Sequence, residues 1–96
     1  MVERNYQPKL IAKLKAMFPG CIILKNDEGY IQGIPDLTLL WKEHWAFLET
    51  KRAQRASHRP NQDYYINAAD SMSFGRFINP DNEEEVLHDL QQAFTS

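Results

Sequence analysis

Residues 36–51, DLTLLWKEHWAFLETK, carry two apolar runs separated only by Lys42-Glu43. Both runs are of strand length and bracket a polar dipeptide, the pattern of two β-strands joined by a tight connection. Side chains alternate along a strand, so Asp36, Thr38 and Leu40 share one face while Leu37, Leu39 and Trp41 share the other. The same alternation sets Trp45, Phe47, Glu49 and Lys51 against Ala46, Leu48 and Thr50. A hairpin centred between Lys42 and Glu43 places Leu40 opposite Trp45, Thr38 opposite Phe47 and Asp36 opposite Glu49, with opposed Cβ atoms about 5 Å apart. Glu49 and Lys51 then point the same way, about 7 Å apart at Cα. Lys-Glu is not the Asn-Gly type of turn that fixes a register. A shift of two in the pairing keeps the carboxylates neighbours, and a shift of one separates them.

Tyr6, Leu10, Leu14, Met17 and Phe18 recur at helical spacing and predict a helix over residues 5–18, stopped by Pro19-Gly20. Pro8 is tolerated in its opening turn, where no intrahelical bond is lost. Residues 21–25, CIILK, predict a short strand, and residues 26–33, with Gly29 and Gly33, a loop. Residues 53–59 are polar and irregular. Pro60-Asn61-Gln62 opens a second helix reaching about Ser71, with Tyr65, Ile66 and Ala69 as its buried stripe. Residues 74–79 predict a further strand, closed by Pro80. Asp81 and Glu84 have the spacing of a capping box before a last helix whose apolar face is Val86, Leu87, Leu90, Ala93 and Phe94. The order is α-β-β-β-α-β-α.

A chain of 96 residues with 43% hydrophobic content supports one core, hence one domain over residues 1–96. No run of about 18 apolar residues and no secretory signal pattern is present, so a soluble, non-exported protein with no membrane partner is expected. The single Cys21 has no disulfide partner in the chain, which suits a reducing cytoplasm, and within CIIL it reads as core filler. Net charge is -2, so no global positive field is available for a polyanion. Lys51, Arg52, Arg55, His58 and Arg59 nonetheless form a basic segment free of acids, a local footprint. The acidic run at residues 81–85 favours a helix N-terminus electrostatically.

Two carboxylates facing each other across strands repel, and burial raises the cost, so they need a counter-charge. Lys51 could supply it in an ion-pair cluster, which charge spacing alone favours. A divalent cation is the other solution: Asp and Glu oxygens at this separation can ligate Mg²⁺, which keeps waters and accepts phosphate oxygens. Lys51 would then hold a water or offset charge developing on a phosphate. His44, His58, His88 and Cys21 lack zinc-ligand spacing. His44, near the hairpin turn, is expected to be solvated, and His58 belongs to the basic segment. No phosphate-binding glycine loop appears, and no organic cofactor is implied.

Pro35-Asp36, twelve intervening residues, then Glu49-Thr50-Lys51 resembles the PD-(D/E)XK signature of the restriction-endonuclease-like nucleases. It occupies successive strand ends in an element order similar to that family's core. More of the chain resembles the VRR-NUC branch, the virus-type replication and repair nucleases, through Glu3, Asn26, Gly33-Ile34-Pro35-Asp36, Glu49-Thr50-Lys51 and Gln62. The resemblance spans residues 3–79, and at this length the chain looks like the phage-encoded stand-alone members. It implies an α/β fold with a central mixed sheet flanked by helices. It also implies Mg²⁺ or Mn²⁺ held by Asp36, Glu49 and the Thr50 backbone carbonyl, with Glu3 as accessory ligand, Lys51 positioning or activating water, and Gln62 near the scissile phosphate. Pro8 departs from the pattern, because it suggests that the regular helix begins after Glu3. If the helix begins earlier, Glu3 and Gln7 fall one turn apart on one face.

The expected activity is metal-dependent hydrolysis of DNA phosphodiester bonds, with Lys51, Arg52, Arg55, His58 and Arg59 holding phosphates. No base-reading pattern is present, so structure-selective cutting of branched DNA such as Holliday junctions or flaps is the expectation. One site per chain, and two cuts per junction, point to a C2 homodimer, as the resemblance implies for stand-alone members. Tyr64, Tyr65, Trp41 and Trp45 could line its interface. The location implied is cytoplasmic, in the bacterial host if the chain is phage-encoded. The competing class is a non-catalytic binding module for branched DNA or a protein partner on the same fold. An adaptor docking through the acidic last helix is a third, and it requires no metal.

Overall fold

The computed structural model of the protein describes residues 5–52, 57 and 60–96. Within them run α1 (Tyr6–Met17), β1 (Ile22–Lys25), β2 (Leu37–Trp41), β3 (His44–Thr50), α2 (Gln62–Met72), β4 (Gly75–Ile78) and α3 (Glu83–Thr95). This is the expected order, and it forms a small α/β domain. The four strands make one mixed sheet in the order β1-β2-β3-β4, with β1/β2 and β2/β3 antiparallel and β3/β4 parallel. A parallel pair cannot be joined by a hairpin, and α2 supplies the crossover. The β2/β3 register is the expected one: Leu40 pairs with Trp45 and Thr38 with Phe47, and the ladder reaches Leu37 opposite Leu48. Lys42 takes a left-handed conformation, φ 56°, which closes the turn without a glycine.

The face carrying Leu37, Leu39, Ala46 and Leu48 is buried. It packs on Tyr6, Leu10, Leu14 and Phe18, one turn apart along α1 and its C-cap, and on Val86, Leu87, Leu90 and Phe94 of α3. Burying each such leucine contributes about 1.5–3 kcal/mol, so this face supplies most of the driving force for folding. Trp41 packs on Phe18, with ring centroids 5.0 Å apart. His44 stacks on Phe94 at 5.1 Å and is half-buried rather than solvated, because α3 crosses the hairpin turn.

The opposite face carries α2 over β3 and β4. Contact is closest at Gly75, where an added Cβ would lie 2.4 Å from the Ile66 carbonyl oxygen, so only glycine admits the helix at this depth. Among the described residues no helix covers the β1/β2 half of this face, and Ile22, Leu24 and Leu40 are exposed there, with Ile22 paired to Leu40.

The start of α3 differs from expectation. Asn82, not Asp81, is the N-cap, and no side-chain cap bond forms. Two asparagines shape the turn instead: Asn79 Oδ1 accepts the N–H groups of Asp81 and Asn82, and Asn82 Oδ1 accepts that of Asn79 at 2.8 Å. Ala93 is exposed, because the α3 stripe runs through Val86, Leu87, Leu90 and Phe94. No helix among the described residues is long and apolar enough to cross a membrane.

Candidate functional site

Asp36 stands one residue before β2, where the next rung of the β2/β3 ladder would fall. Side chains replace that rung. The Asp36 N–H donates to Glu49 Oε1 at 2.9 Å, while Asp36 Oδ2 accepts from the Thr50 N–H at 3.1 Å and the Thr50 hydroxyl at 2.6 Å. The two acids thus lie across the strand ends as the register requires, each tied to the other strand. Gln7 of α1 donates to Thr50 Oγ1 at 3.4 Å. Asn26 gathers the other side: its N–H donates to the Asp36 carbonyl at 2.8 Å, and its amide donates to the Pro35 carbonyl at 2.8 Å.

Glu49 and Lys51 share a face, and Gln62 stands between them. Gln62 Nε2 donates to Glu49 Oε2 at 2.8 Å, and Gln62 Oε1 accepts from Lys51 Nζ at 2.7 Å. Carboxylate on one side and ammonium on the other leave the amide a single orientation. Lys51 also donates to the Ser57 carbonyl at 3.1 Å and stands 3.8 Å from Glu49 Oε2. Gln62 is the first residue of α2 and lies on its buried face with Ile66 and Ala69, whereas Tyr65, expected on that stripe, is half-buried. Its place is set by a close contact: an added Cβ at Gly33, φ 87°, would lie 2.6 Å from Asn61 Cβ and 2.8 Å from the Pro60 carbonyl oxygen. The loop of residues 26–36 is therefore seated directly on the start of α2.

Glu49 is 4% exposed, and its carboxyl is pushed up to about 7. Burial is the chief cause, and the neighbouring Asp36 charge adds to it; the Asp36 N–H and Lys51 act the other way, and Glu28 raises it slightly. Glu28, Asp36 and Glu49 each bring an oxygen within 4.8 Å of the others. Opposed ligands on an octahedral Mg²⁺ lie about 4.2 Å apart, twice a bond of about 2.1 Å, so small side-chain adjustments would let these oxygens share one ion. All three donors are hard oxygens, which suit Mg²⁺ or Mn²⁺ rather than a thiophilic metal.

The structure brings together Asp36, Glu49, Thr50, Lys51 and Gln62. Arg52 is exposed just beyond them. Glu3, Arg55, His58 and Arg59 lie outside the described residues. Glu28 was not anticipated, since a loop acid has no periodicity to flag it. The available signal was the β1/β2 register, in which Lys25 pairs with Leu37 and the following Asn26 meets Asp36, leaving Glu28 within reach. Comparison with family models, curated proteins and solved structures returns no match.

Proposed function

We propose that this protein is a metal-dependent, structure-selective DNA endonuclease, a VRR-NUC nuclease of the restriction-endonuclease-like PD-(D/E)XK type. The observation that carries the reading is the convergence of the Glu28, Asp36 and Glu49 oxygens beside an ammonium held by Gln62. Asp36, Glu49 and Glu28 would hold Mg²⁺ or Mn²⁺, with the Thr50 carbonyl, and Glu3 as accessory ligand. When bound, such an ion would supply Lewis acidity to a phosphate oxygen and ease deprotonation of a water.

Lys51 holds the attacking water or offsets the charge that develops on the phosphate. Gln62 is a positioning residue: it keeps Lys51 off the carboxylate and fixes Glu49. Lys51, Arg52, Arg55, His58 and Arg59 hold the phosphates of the flanking strand, and the absence of a base-reading pattern favours branched DNA such as Holliday junctions or flaps. Two copies related by a two-fold axis would place two sites on one junction, and the exposed Ile22, Leu24 and Leu40 offer an apolar surface for that pairing. The setting is the cytoplasm, that of a bacterial host for a phage-encoded chain.

The test is incubation with end-labelled four-way junction, flap, single-stranded and duplex DNA in Mg²⁺, Mn²⁺ and EDTA, beside folded Lys51→Ala and Asp36→Ala proteins. Metal-dependent cutting that both substitutions abolish supports the nuclease. No cutting in either metal, with junction binding intact, sinks it and leaves a binding module.

A further inference from the structure

The loop of residues 26–36 holds an aromatic ring out into solvent on a fixed turn. Asp27 Oδ1 accepts the Gly29 N–H at 2.8 Å, and the Asp27 carbonyl accepts the Tyr30 N–H at 3.1 Å. Asn26 ties the ends of the loop together, and Gly33 seats it on Pro60 and Asn61. On this support Tyr30 is 85% exposed, the most exposed large apolar side chain among the described residues. The ring lines an open cleft together with Asn26, Asp27, Ile31 and Ile34. Only Gly29 separates Tyr30 from Glu28 in the chain, which keeps their Cα atoms within about 7 Å of each other, so the loop that carries the ring also carries one acid of the carboxylate cluster.

We propose that Tyr30 is a stacking platform for an unpaired base, and that the preferred substrate carries an unpaired nucleotide next to the scissile phosphate. The position of that phosphate rests on the nuclease reading, whereas the platform rests on the loop. Every base has a π-face, so stacking is tolerant of sequence. A base within a duplex is already stacked and reaches the ring only by flipping, which costs a few kcal/mol. Tyr30 would therefore separate strands with exposed bases from continuous duplex without reading either one.

The test is binding, by fluorescence anisotropy, of a labelled single strand and of the duplex of the same sequence. Ca²⁺ replaces Mg²⁺ so that a hard cation occupies the carboxylates, and a gel checks that the DNA stays intact. Tyr30→Ala, folded by circular dichroism, is expected to weaken single-strand binding about tenfold or more and to leave duplex binding unchanged; Tyr30→Phe is expected to retain both. Single-strand binding unaffected by Tyr30→Ala, equal losses on both DNAs, or no single-strand binding by the native protein overturns the proposal. Cutting in Mg²⁺ is scored separately. Binding that depends on Tyr30 without cutting sinks the nuclease and keeps the platform, and cutting with binding independent of Tyr30 does the reverse.

Discussion

Lys51 Nζ lies 2.7 Å from Gln62 Oε1 and 3.8 Å from Glu49 Oε2, so an amide rather than the carboxylate holds the ammonium. The arrangement keeps a cation near Glu49 without pairing it tightly to the carboxylate. Gln62→Leu removes the bridge and takes from the buried Glu49 Oε2 its amide donor. A stability loss of about 1–3 kcal/mol is expected, read as a lower urea midpoint at unchanged slope.

Lys51→Ala separates metal holding from chemistry. If Lys51 acts on water or on developing charge, cleavage falls about 10²- to 10⁴-fold while Mg²⁺ still raises the melting temperature. Loss of the metal-induced rise would place Lys51 in ion binding instead.

The raised carboxyl of Glu49 gives the metal-free protein a definite pH dependence. Its folded value of about 7 exceeds the ordinary value of 4.5, so between those limits the folded state binds more protons than the unfolded one. The contribution is fully present below about pH 4.5 and is lost as pH rises through 7. The change is on the order of 3 kcal/mol. Thermal melts of native and Glu49→Gln proteins in EDTA from pH 5 to 8 check it: the native melting temperature should fall across the range, and the variant's curve should be flatter.

Glu28 is predicted to hold the ion with Asp36 and Glu49. Glu28→Gln keeps its size and removes the anionic ligand, so calorimetry should report Mn²⁺ binding about tenfold weaker, equivalent to about 1.4 kcal/mol. Unchanged affinity would remove Glu28 from the ligand set.

Gly33→Ala tests the seating of the loop on α2. A side chain at φ 87° is strained, and its Cβ would overlap Asn61 and Pro60. A loss of about 2 kcal/mol or more is expected, together with weaker metal binding. Gly20→Ala, at the same φ of 87° but with nothing within 4 Å of the added Cβ, serves as control for backbone strain alone.

The hairpin was legible because alternation and a two-residue turn leave few ways to pair two strands; once Leu40 faces Trp45, Asp36 must face Glu49. The burial of Gln62 is not legible in the sequence, since a glutamine on the α2 stripe is hidden because Glu49 and Lys51 satisfy both ends of its amide. Glu28 escaped because its position follows from the fold of a loop, not from strand or helix periodicity. The α3 start was misread because Asn79 and Asn82 close the turn between them, which displaced the Asp81 cap.

The hydrogen bonds among Asp36, Glu49, Thr50, Lys51 and Gln62 link residues 11 to 14 positions apart. Pairing of β3 with β4 must wait for the whole α2 crossover. Contacts of short sequence separation cost least in loop-closure entropy, so the β2/β3 hairpin is expected to bring Asp36 and Glu49 face to face before α2 packs over β3. On that order Asp36 and Glu49 meet while Glu49 is still hydrated, and Glu49 is buried only once Gln62 docks with its helix.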